Sequence, residues 1–491
     1  MLTRLLGCSA RASLRHRGCS IRASTRAYAG GAQALAVGLQ EVIGSHNVTC
    51  SEAEIGNHAS IETGNVGWNA PDVLCYAEST EDVQRVVSFC HEHGVPIVPY
   101  GAGTSVEGHL DCPRGGVMLD MSRMNNILEM NEADMDCRVQ AGVTREQLND
   151  YLRQSGLFFS VDPGGNATIG GMVATNASGT TTMRYGSMRQ NVLGLQAVLP
   201  DGNLLRAGGR ARKSSAGYDL TRLLIGAEGT LGVVTEVQVK LWPEPEAVAA
   251  ATCCFPDLAA AVDAVTAVTC VSSPARMELL DEVTMGALDG WRGARFEVAP
   301  TIFFEFHGGP AAVEEQLAAA EALIAEYGGR EWRSATRQEE RTALWKARHN
   351  AFWAIKDKWP GLDLIATDVA VPVSKLAELV QLTKDHLDEL GIVAAPIFGH
   401  VGDGSFHVLP MFDSSEPEQV DKVRELEATM TRRAIEMGGT CTGEHGIGTG
   451  KSKYLEDEFG GSTLDMMRVI KQAVDPKHIM NPGKILPKSY A

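Results

Sequence analysis

The sequence predicts a mixed fold of the α+β or α/β kind, because two strand–helix–strand units occur within its first 165 residues. In the first unit, a capping-box pattern and apolar residues at helical spacing predict a helix over 79–94. Residues 95–100 follow as a short strand, and the prolines within it indicate a position at a sheet edge. In the second unit, a helix over 144–156 precedes a strand over 157–161. An all-helical chain is therefore excluded.

A change of sequence texture about half-way along the chain predicts a second domain. An alternating strand over 233–239 is followed by 242–246, where two prolines and two glutamates break both strand and helix. Beyond this break, alanine-rich helices such as 310–327 alternate with apolar strands such as 301–306 and 392–398. This alternation predicts a second α+β domain.

Charge and composition exclude several classes of protein. The chain has 44 Lys and Arg against 61 Asp and Glu, a formal net charge of −17, and no basic patch in its body, so we expect no nucleic-acid partner. No stretch reaches the ~18 consecutive apolar residues of a membrane-spanning helix, so we expect no transmembrane segment. The 11 cysteines have no C-x-x-C spacing, which excludes a disulfide framework and a thiolate metal site and favours a reducing compartment.

The first 27 residues have the composition of an organelle transit peptide. They contain six arginines before the first acidic residue of the chain, Glu41, and their leucines have amphipathic spacing. Because arginine outnumbers serine in this leader, a mitochondrial destination is favoured over a plastid one. A disordered basic tail is the alternative interpretation.

Three glycine-rich loops of the first domain, at 101–108, 164–179 and 226–232, are candidates for holding a phosphorylated cofactor. Without Cβ atoms, a backbone can approach a phosphate closely and point its N–H groups inward. None of the loops is a G-x-G-x-x-G motif after a strand, so a Rossmann site is not supported, and each loop alone is also consistent with a structural turn. Residues 446–452 resemble a phosphate loop, but His445 stands where that motif requires glycine, so nucleoside-triphosphate binding is not expected.

The densest group of chemically active side chains lies in the second domain. His400 and His407 flank a Gly-Asp-Gly turn that lets two imidazoles converge, and Glu444 offers the third ligand of an open divalent-metal site. The adjacent His445 is then available as a general base, since imidazole titrates near neutral pH. Core histidines satisfied by backbone groups are the alternative. Arg348 is a candidate for binding a substrate carboxylate, with a surface salt bridge in the charged run around it as the alternative.

Six motifs carry a resemblance to a known family. They are PYGAGTS at 99–105, VDPG at 161–164, GAEGTLG at 226–232, GHVGDGSFH at 399–407, TGEHGIG at 442–448 and NPGK at 481–484. From about residue 68 to its end, the chain resembles the FAD-linked oxidases of the vanillyl-alcohol-oxidase (PCMH-type) fold. Within that family it is similar to the mitochondrial, cytochrome-linked D-lactate dehydrogenases.

The resemblance implies an α+β architecture with a two-part FAD-binding domain and an α+β substrate cap domain. The FAD-binding domain would cover 28–245, the cap with its metal site 246–445, and residues 446–491 would return to the FAD-binding domain. Relatives that bind flavin covalently often use a histidine in the first glycine loop, whereas this chain has Gly103, Thr104 and Ser105 there, which implies noncovalent FAD. The residues that the resemblance assigns to FAD are Pro99, Gly101, Ala102, Gly103, Thr104, Ser105, Pro163, Gly164, Thr168, Gly171, Asn176, Ser178, Gly179, Tyr185, Glu228, Gly229, Gly232, Val233 and Asn481.

The resemblance also assigns roles within the cap. His400, His407 and Glu444 would bind a divalent metal, zinc or manganese. His445 would be the catalytic base, and Arg348 would bind the substrate carboxylate. Ser405 departs from the family pattern, because relatives commonly have Asn at that position.

The substrate implied by the resemblance is a small monocarboxylate. Relatives that act on dicarboxylates carry Asn two residues after the second metal histidine and Lys just before an Asp-x-x-x-Pro segment, whereas this chain has Leu409 and Ala366 there and keeps Asp368 and Pro372. The implied reaction is oxidation of D-lactate, or a related small D-2-hydroxy acid, to the 2-oxo acid, with cytochrome c as electron acceptor. The alternatives are a D-2-hydroxy-acid or glycolate dehydrogenase with another acceptor, an FAD oxidase that uses oxygen, and a noncatalytic flavin-binding subunit.

Overall fold

The computed structural model describes residues 31–58 and 68–489. The predicted transit peptide, residues 1–27, lies outside the described residues. Within the described ranges, no helix combines the length and the apolar character that crossing a bilayer requires. Three larger sheets, with the helices around them, make up most of this part of the chain.

The first sheet places the first glycine loop at its edge. Its strands follow the order β1-β2-β4-β3, with β2, β4 and β3 parallel. Pro99 lies in the edge strand β3, as predicted, and the chain then enters the first glycine loop at the carboxyl end of the sheet. The predicted helix is also confirmed, since Ser79 caps its first turn and Gly94 ends it in the left-handed region. The elements are α1 (Gly31–Ile43), β1 (Val48–Thr49), α2 (Glu52–Asn57), β2 (Val73–Tyr76), α3 (Thr80–His93), β3 (Ile97–Tyr100) and β4 (Val117–Asp120).

The second sheet is antiparallel, in the order β5-β6-β10-β8-β9. The predicted strand over 157–161 is shorter than expected, because only two residues pair, with Trp242 and Pro243 of β11. The helix predicted over 144–156 is capped by Thr144 but ends at Leu152. The elements are β5 (Ile127–Asn131), β6 (Asp136–Gln140), α4 (Arg145–Leu152), β7 (Leu157–Phe158), α5 (Ile169–Thr175), α6 (Thr182–Tyr185), α7 (Met188–Asn191), β8 (Val192–Val198), β9 (Leu204–Gly208), α8 (Leu220–Leu224), β10 (Val233–Lys240) and β11 (Trp242–Pro243).

The third sheet has seven strands among the residues described, in the order β15-β12-β14-β13-β18-β19-β17. The strand predicted over 392–398 is wrong in extent, because β18 begins only after Pro396, which has no N–H for a regular ladder. The elements are β12 (Ala247–Cys254), α9 (Leu258–Val271), β13 (Arg276–Leu280), α10 (Glu282–Leu288), β14 (Thr301–Gly308), α11 (Pro310–Glu326), β15 (Arg330–Ala335), α12 (Gln338–His349), α13 (Ala351–Lys358), β16 (Asp363–Leu364), β17 (Val369–Ala370), α14 (Val373–Leu390), β18 (Ile397–Gly399), β19 (Ser405–Val408), β20 (Met411–Phe412) and α15 (Pro417–Glu436).

Helices cover both faces of this third sheet, and strand alternation decides which residues meet which helices. Leu279 of β13 packs in the apolar cluster with the buried residues of α9 and α14. Its neighbour Leu280 packs on the other face, in the cluster that contains Trp345 of α12. By the same alternation, Glu278 projects toward the α12 face, which becomes important at the site described below.

The C-terminal segment packs back against the first sheet. After α16 (Leu455–Phe459) and α17 (Gly461–Val474), the Ile97 N–H donates to the Ile479 carbonyl at 2.7 Å and the Asn481 N–H donates to the Ile97 carbonyl at 2.7 Å. In α17, Lys471 Nζ donates to the Thr230 carbonyl at 2.7 Å and to the fully buried Asp475 carboxylate at 2.6 Å. This lysine therefore ties the segment to the glycine loop at 226–232.

We expect Lys471→Met to lower the free energy of unfolding by ~3–5 kcal/mol, because it leaves the Asp475 charge buried without its cation. Urea unfolding of the FAD-loaded variant and wild type measures this difference. Lys375→Met is the matched control, since the Lys375–Glu378 pair is exposed and such pairs contribute at most ~1 kcal/mol. Equal losses in the two variants would contradict a structural role for the buried pair.

Candidate active site

A cavity of about 760 Å³ lies between the glycine-rich loops and the third sheet. This volume is typical of cofactor and small-molecule sites. All but three of the residues that the resemblance assigns to FAD line its wall. The lining residues of that set are Pro99, Gly101, Ala102, Gly103, Thr104, Ser105, Pro163, Gly164, Thr168, Gly171, Ser178, Glu228, Gly229, Gly232, Val233 and Asn481.

The other three assigned residues do not line the cavity and have structural contacts instead. Asn176 ends α5 in the left-handed conformation, with φ 51°. Gly179 passes so close to Asp162 that a Cβ atom would lie 2.3 Å from its carbonyl oxygen. The Tyr185 hydroxyl forms a 2.7 Å hydrogen bond with His307 Nδ1 in the interior. These three residues lie outside the cavity wall, and their assignment to FAD stays a prediction.

The three predicted metal ligands meet at the end of this cavity. Ligand atoms of His400, His407 and Glu444 lie within 4.8 Å of one another. His400 Nε2 is 3.4 Å and His407 Nε2 is 3.1 Å from Glu444 Oε1. The two imidazoles converge because β18 and β19 form a close hairpin, in which a Cβ atom on Gly399 would lie 2.4 Å from the backbone of Phe406.

Hydrogen bonds fix the orientation of both imidazoles. His400 Nδ1 lies 2.6 Å from Glu278 Oε1, and His407 Nδ1 lies 2.9 Å from the Thr367 carbonyl oxygen. Both partners are acceptors, so each Nδ1 donates its proton to its partner and each Nε2 is directed toward Oε1 of Glu444. Burial opposes ionisation of Glu444, but the charge and hydrogen bonds of His400 and His407 outweigh it and hold the pKa of this carboxyl well below its ordinary value.

His445 stacks on this group. Its ring lies 5.0 Å from the His407 ring, with 10° between the planes, and it lines the cavity. Burial lowers the pKa of the His445 imidazole to about 4, so the ring is neutral at pH 7. Its buried Nδ1 has no hydrogen-bond partner among the described residues and lies 4.0 Å from Glu107 Oε1. A neutral imidazole beside a cavity can accept a proton.

A buried aspartate holds the loop that carries Glu444 and His445. Asp368 Oδ2 accepts hydrogen bonds from the backbone N–H groups of both residues at 3.0 Å and from the Thr442 hydroxyl at 2.6 Å. Lys451, the lysine of the phosphate-loop-like segment, is also buried and donates to the Asp368 carbonyl at 2.7 Å. This lysine is therefore part of the loop's support, with its charge directed to the interior.

A second buried carboxylate, from the glycine loop at 226–232, holds the same loop from the other side. Glu228 accepts hydrogen bonds from the N–H groups of Ile447 at 2.6 Å and Gly448 at 2.9 Å, and lies 3.3 Å from His109 Nε2. Burial opposes its ionisation, but His109 and the two backbone donors outweigh that effect and lower its pKa. Glu228 thus connects the glycine loop to the residues next to His445.

Arg348 of α12 is paired in a way that neither sequence interpretation anticipated. Its Nε and Nη2 donate to Glu278 Oε2 at 2.9 and 2.7 Å, so its salt-bridge partner is a buried acid of β13 and not the surface run near it. Its side chain lines the cavity and is 12% exposed. Among the described residues, its Nη1 donates no hydrogen bond, which leaves that group for a ligand.

Comparisons with known proteins decide the family. A model described as "FAD binding domain" matches residues 71–208, and one described as "FAD linked oxidases, C-terminal domain" matches residues 244–485. The chain is 41% identical to "Probable D-lactate dehydrogenase, mitochondrial" of Danio rerio, over 91% of this chain and 90% of that protein. It is 45% identical to "D-lactate dehydrogenase (cytochrome), mitochondrial" of Arabidopsis thaliana, over 85% of this chain and 74% of that protein. This chain belongs to the FAD-linked oxidase family.

A solved structure agrees on the fold of this FAD-linked oxidase. p-Cresol methylhydroxylase with substrate bound matches with a TM-score of 0.76 at 18% identity, over 94% of this chain and 98% of that protein. The PCMH-type fold, with its FAD-binding part and α+β cap, is therefore confirmed, as is the resemblance drawn from the six motifs. At this level of identity, the match concerns the fold alone.

The cavity wall fits FAD chemically. Several of its buried polar atoms have no hydrogen-bond partner among the described residues, including His109 Nδ1, Arg145 Nε and Asn481 Oδ1. Buried polar atoms without partners are costly, so such a wall indicates a polar ligand. FAD has phosphate, ribityl and ring groups to pair with them, and the glycine loops let it approach the backbone.

Sequence reasoning missed the acids behind the site. Glu278, Glu107 and the partners of Asp368 belong to distant segments, and their roles depend on tertiary contacts. One signal was available for Glu278, since it is a lone acid within the apolar strand RMELL. Acids are rarely fully buried unless they are paired, so a glutamate in a strand predicted to be buried indicates a partner elsewhere.

We expect Glu228→Gln to lower the free energy of unfolding by ~1–3 kcal/mol at pH 7, through weaker bonds to the loop. The folded-state pKa of Glu228 lies below its ordinary value of 4.5. The difference in free energy of unfolding between wild type and variant is therefore complete above pH 4.5 and shrinks as the pH falls through the folded-state pKa. Urea unfolding of FAD-loaded protein at about pH 7 and pH 4 tests this. Glu418→Gln is the control, since Glu418 belongs to an exposed ion pair and its loss should leave the free energy of unfolding unchanged. A difference between wild type and Glu228→Gln that is the same at both pH values would contradict the prediction.

Proposed function

We propose that this FAD-linked oxidase oxidises D-lactate, and related small D-2-hydroxy acids, to the 2-oxo acid with noncovalently bound FAD and passes the electrons to cytochrome c. The observation that carries the proposal is the juxtaposition of His400, His407, Glu444 and His445 with Arg348 on the wall of one cavity. The relatives named as D-lactate dehydrogenases, matched over most of this chain, support the same substrate.

We further propose that His400, His407 and Glu444 bind a divalent cation, zinc or manganese. The donor set supports this, since two imidazole nitrogens and one carboxylate oxygen suit either ion and leave a coordination position open. Buried acceptors behind both imidazoles support it too, because such bonds orient metal-binding histidines. When bound, the cation supplies Lewis-acid activation of the substrate hydroxyl and FAD supplies the hydride acceptor.

The chain's own residues then handle the carboxylate and the proton. Arg348 binds the substrate carboxylate through its Nη1 side, since Glu278 occupies the Nε and Nη2 donors. This contact orients the substrate hydroxyl toward His445, whose neutral imidazole accepts the hydroxyl proton as hydride leaves the adjacent carbon. The products are the 2-oxo acid and the protonated base, and the hydride, with its hydrogen and two electrons, would be held by bound FAD.

The substrate end of the cavity favours a small monocarboxylate. Ala366, Phe398 and Leu409 line it, and none of them offers a charge to a second carboxylate. Arg276 also lines the cavity, but it pairs with Asp162 at 3.3 Å and Glu305 at 3.5 Å. Burying an unpaired second carboxylate beside apolar side chains is costly, so we expect 2-hydroxyglutarate to be a poor substrate.

Cellular context is part of the proposal. The relatives' names include mitochondrial location and, in one case, cytochrome, and residues 1–27 have the composition of a transit peptide. We propose that this protein is mitochondrial. We also propose that residues 28–245 bind FAD, that residues 246–445 form the cap and that residues 446–491 return to the FAD-binding domain. The net charge of −17 favours encounter with a basic electron carrier.

Steady-state assays test the reaction and the acceptor. We expect D-lactate to give a higher kcat/KM than L-lactate, because a carboxylate on Arg348 and a hydroxyl directed toward His445 allow one orientation at the α-carbon. D-lactate should also exceed glycolate, which lacks the methyl group that contacts the apolar wall, and D-2-hydroxyglutarate, whose second carboxylate would be buried unpaired. Cytochrome c should be reduced without stoichiometric peroxide. Peroxide formed one-to-one with product in the absence of a carrier would support an oxygen-using oxidase, and a preference for glycolate would overturn the D-lactate assignment.

We expect His445→Gln to lower kcat by ~10²–10⁴-fold, because glutamine cannot accept the hydroxyl proton. FAD absorbance should be retained, which separates this effect from loss of the cofactor. His386→Gln is the matched control, since His386 is a buried histidine of α14 that pairs with Glu389 outside the cavity wall. Unchanged turnover in His445→Gln would contradict the base assignment.

A further inference from the structure

Glu278 is a fully buried acid between the metal cluster and the substrate arginine. It lies in β13, near the middle of the third sheet, with 0% of its surface exposed. The other residues of this strand after Arg276 are apolar, so no local sequence pattern calls for a charge here. A carboxylate in such a position persists only if several donors satisfy it.

The two oxygens of Glu278 serve different elements. Oε1 accepts from His400 Nδ1 at 2.6 Å, and Oε2 accepts from Arg348 Nε and Nη2 at 2.9 and 2.7 Å. His400 follows β18, whereas Arg348 lies in α12, on the helical layer over the sheet. The carboxylate is therefore a bridge between two parts of the cap, which also meet where the Arg348 guanidinium lies 5.1 Å from the centre of the Phe398 ring of β18.

This bridge determines which atoms remain for ligands. With Nδ1 bonded to Glu278, His400 presents Nε2 toward Glu444. With Nε and Nη2 bonded to the same carboxylate, Arg348 keeps Nη1 for the substrate. Because both side chains bond to one buried carboxylate, a displacement of that carboxylate moves the acceptors of the imidazole and of the guanidinium together.

We propose that Glu278 is a positioning residue that holds the metal-binding imidazole of His400 and the substrate-binding guanidinium of Arg348 at a set separation. This inference rests on the proposed function. A hydroxy acid that spans the two groups, with its carboxylate on Arg348 and its hydroxyl near the cation site, then meets both at the distance its short carbon chain requires. Glu278 does not line the cavity, so it acts through His400 and Arg348.

The test is Glu278→Gln in the full-length, FAD-loaded protein. Glutamine has the size of glutamate, but its side-chain NH₂ group is a donor. That group would face the N–H of either His400 or Arg348, which is also a donor, so glutamine cannot accept a hydrogen bond from both residues. We expect the Kd for Mn²⁺ and for Zn²⁺, titrated into metal-stripped protein without substrate, to rise about 10–100-fold. With saturating metal, we expect KM for D-lactate to rise at least about tenfold, a larger factor than the fall in kcat.

Glu305→Gln is the matched control. Glu305 is a buried acid of the adjacent strand β14, and it too pairs with a histidine, His307 at 2.8 Å, and an arginine, Arg276 at 3.5 Å. The Glu305→Gln substitution removes a buried charge of the same kind but leaves the partners of His400 and Arg348 in place, so we expect metal Kd values within about twofold of wild type. A general loss of stability would raise the metal Kd values of both variants alike.

The outcomes are distinguishable. Glu278→Gln that binds metal as tightly as wild type, with an unchanged KM, overturns the inference and leaves the proposed function standing. A wild-type protein that takes up neither ion overturns the metal part of the proposed function and this inference together. If Glu278→Gln does not retain FAD, Glu278→Asp is measured by the same two criteria, since its shorter side chain cannot reach both partners.

Discussion

The site depends on one constraint, the capture of the loop at 442–448 between two buried carboxylates. Asp368, next to β17, accepts the N–H groups of Glu444 and His445, and Glu228, from a glycine loop, accepts those of Ile447 and Gly448. Buried backbone donors and buried carboxylates are each costly alone, so their pairing leaves the loop little freedom. Glu444 and His445, which we propose as the third metal ligand and the base, thereby reach the wall of the cavity.

Buried carboxylates that accept hydrogen bonds from the residues of the site recur around the cavity. Buried acids lie behind several residues of the cavity wall: Glu278 behind His400 and Arg348, and Asp368 behind the backbone of Glu444 and His445. These acids accept hydrogen bonds from groups on separate elements, so the geometry of the site is a property of the packed cap and not of any single strand or loop. Preorganised groups of this kind need little rearrangement during reaction.

Local features of the fold were predictable from the sequence, and long-range ones were not. The cap of α3 at Ser79 and the hairpin that joins His400 to His407 follow from short patterns. The strand predicted over 392–398 was too long because one proline outweighed the apolar run. The partner of Arg348 could not be read from its neighbours, since Glu278 lies 70 residues away and meets it only through the packing of α12 on the third sheet.

The central claim is that a divalent cation binds where His400, His407 and Glu444 converge, at the end of the FAD cavity. X-ray diffraction from FAD-loaded crystals at the absorption edge of zinc or manganese tests it most directly. The account predicts one strong anomalous peak at about 2.0–2.2 Å from Nε2 of each histidine and from a Glu444 oxygen. The absence of any peak at that position, in protein from the same preparation that oxidises D-lactate, would contradict the account.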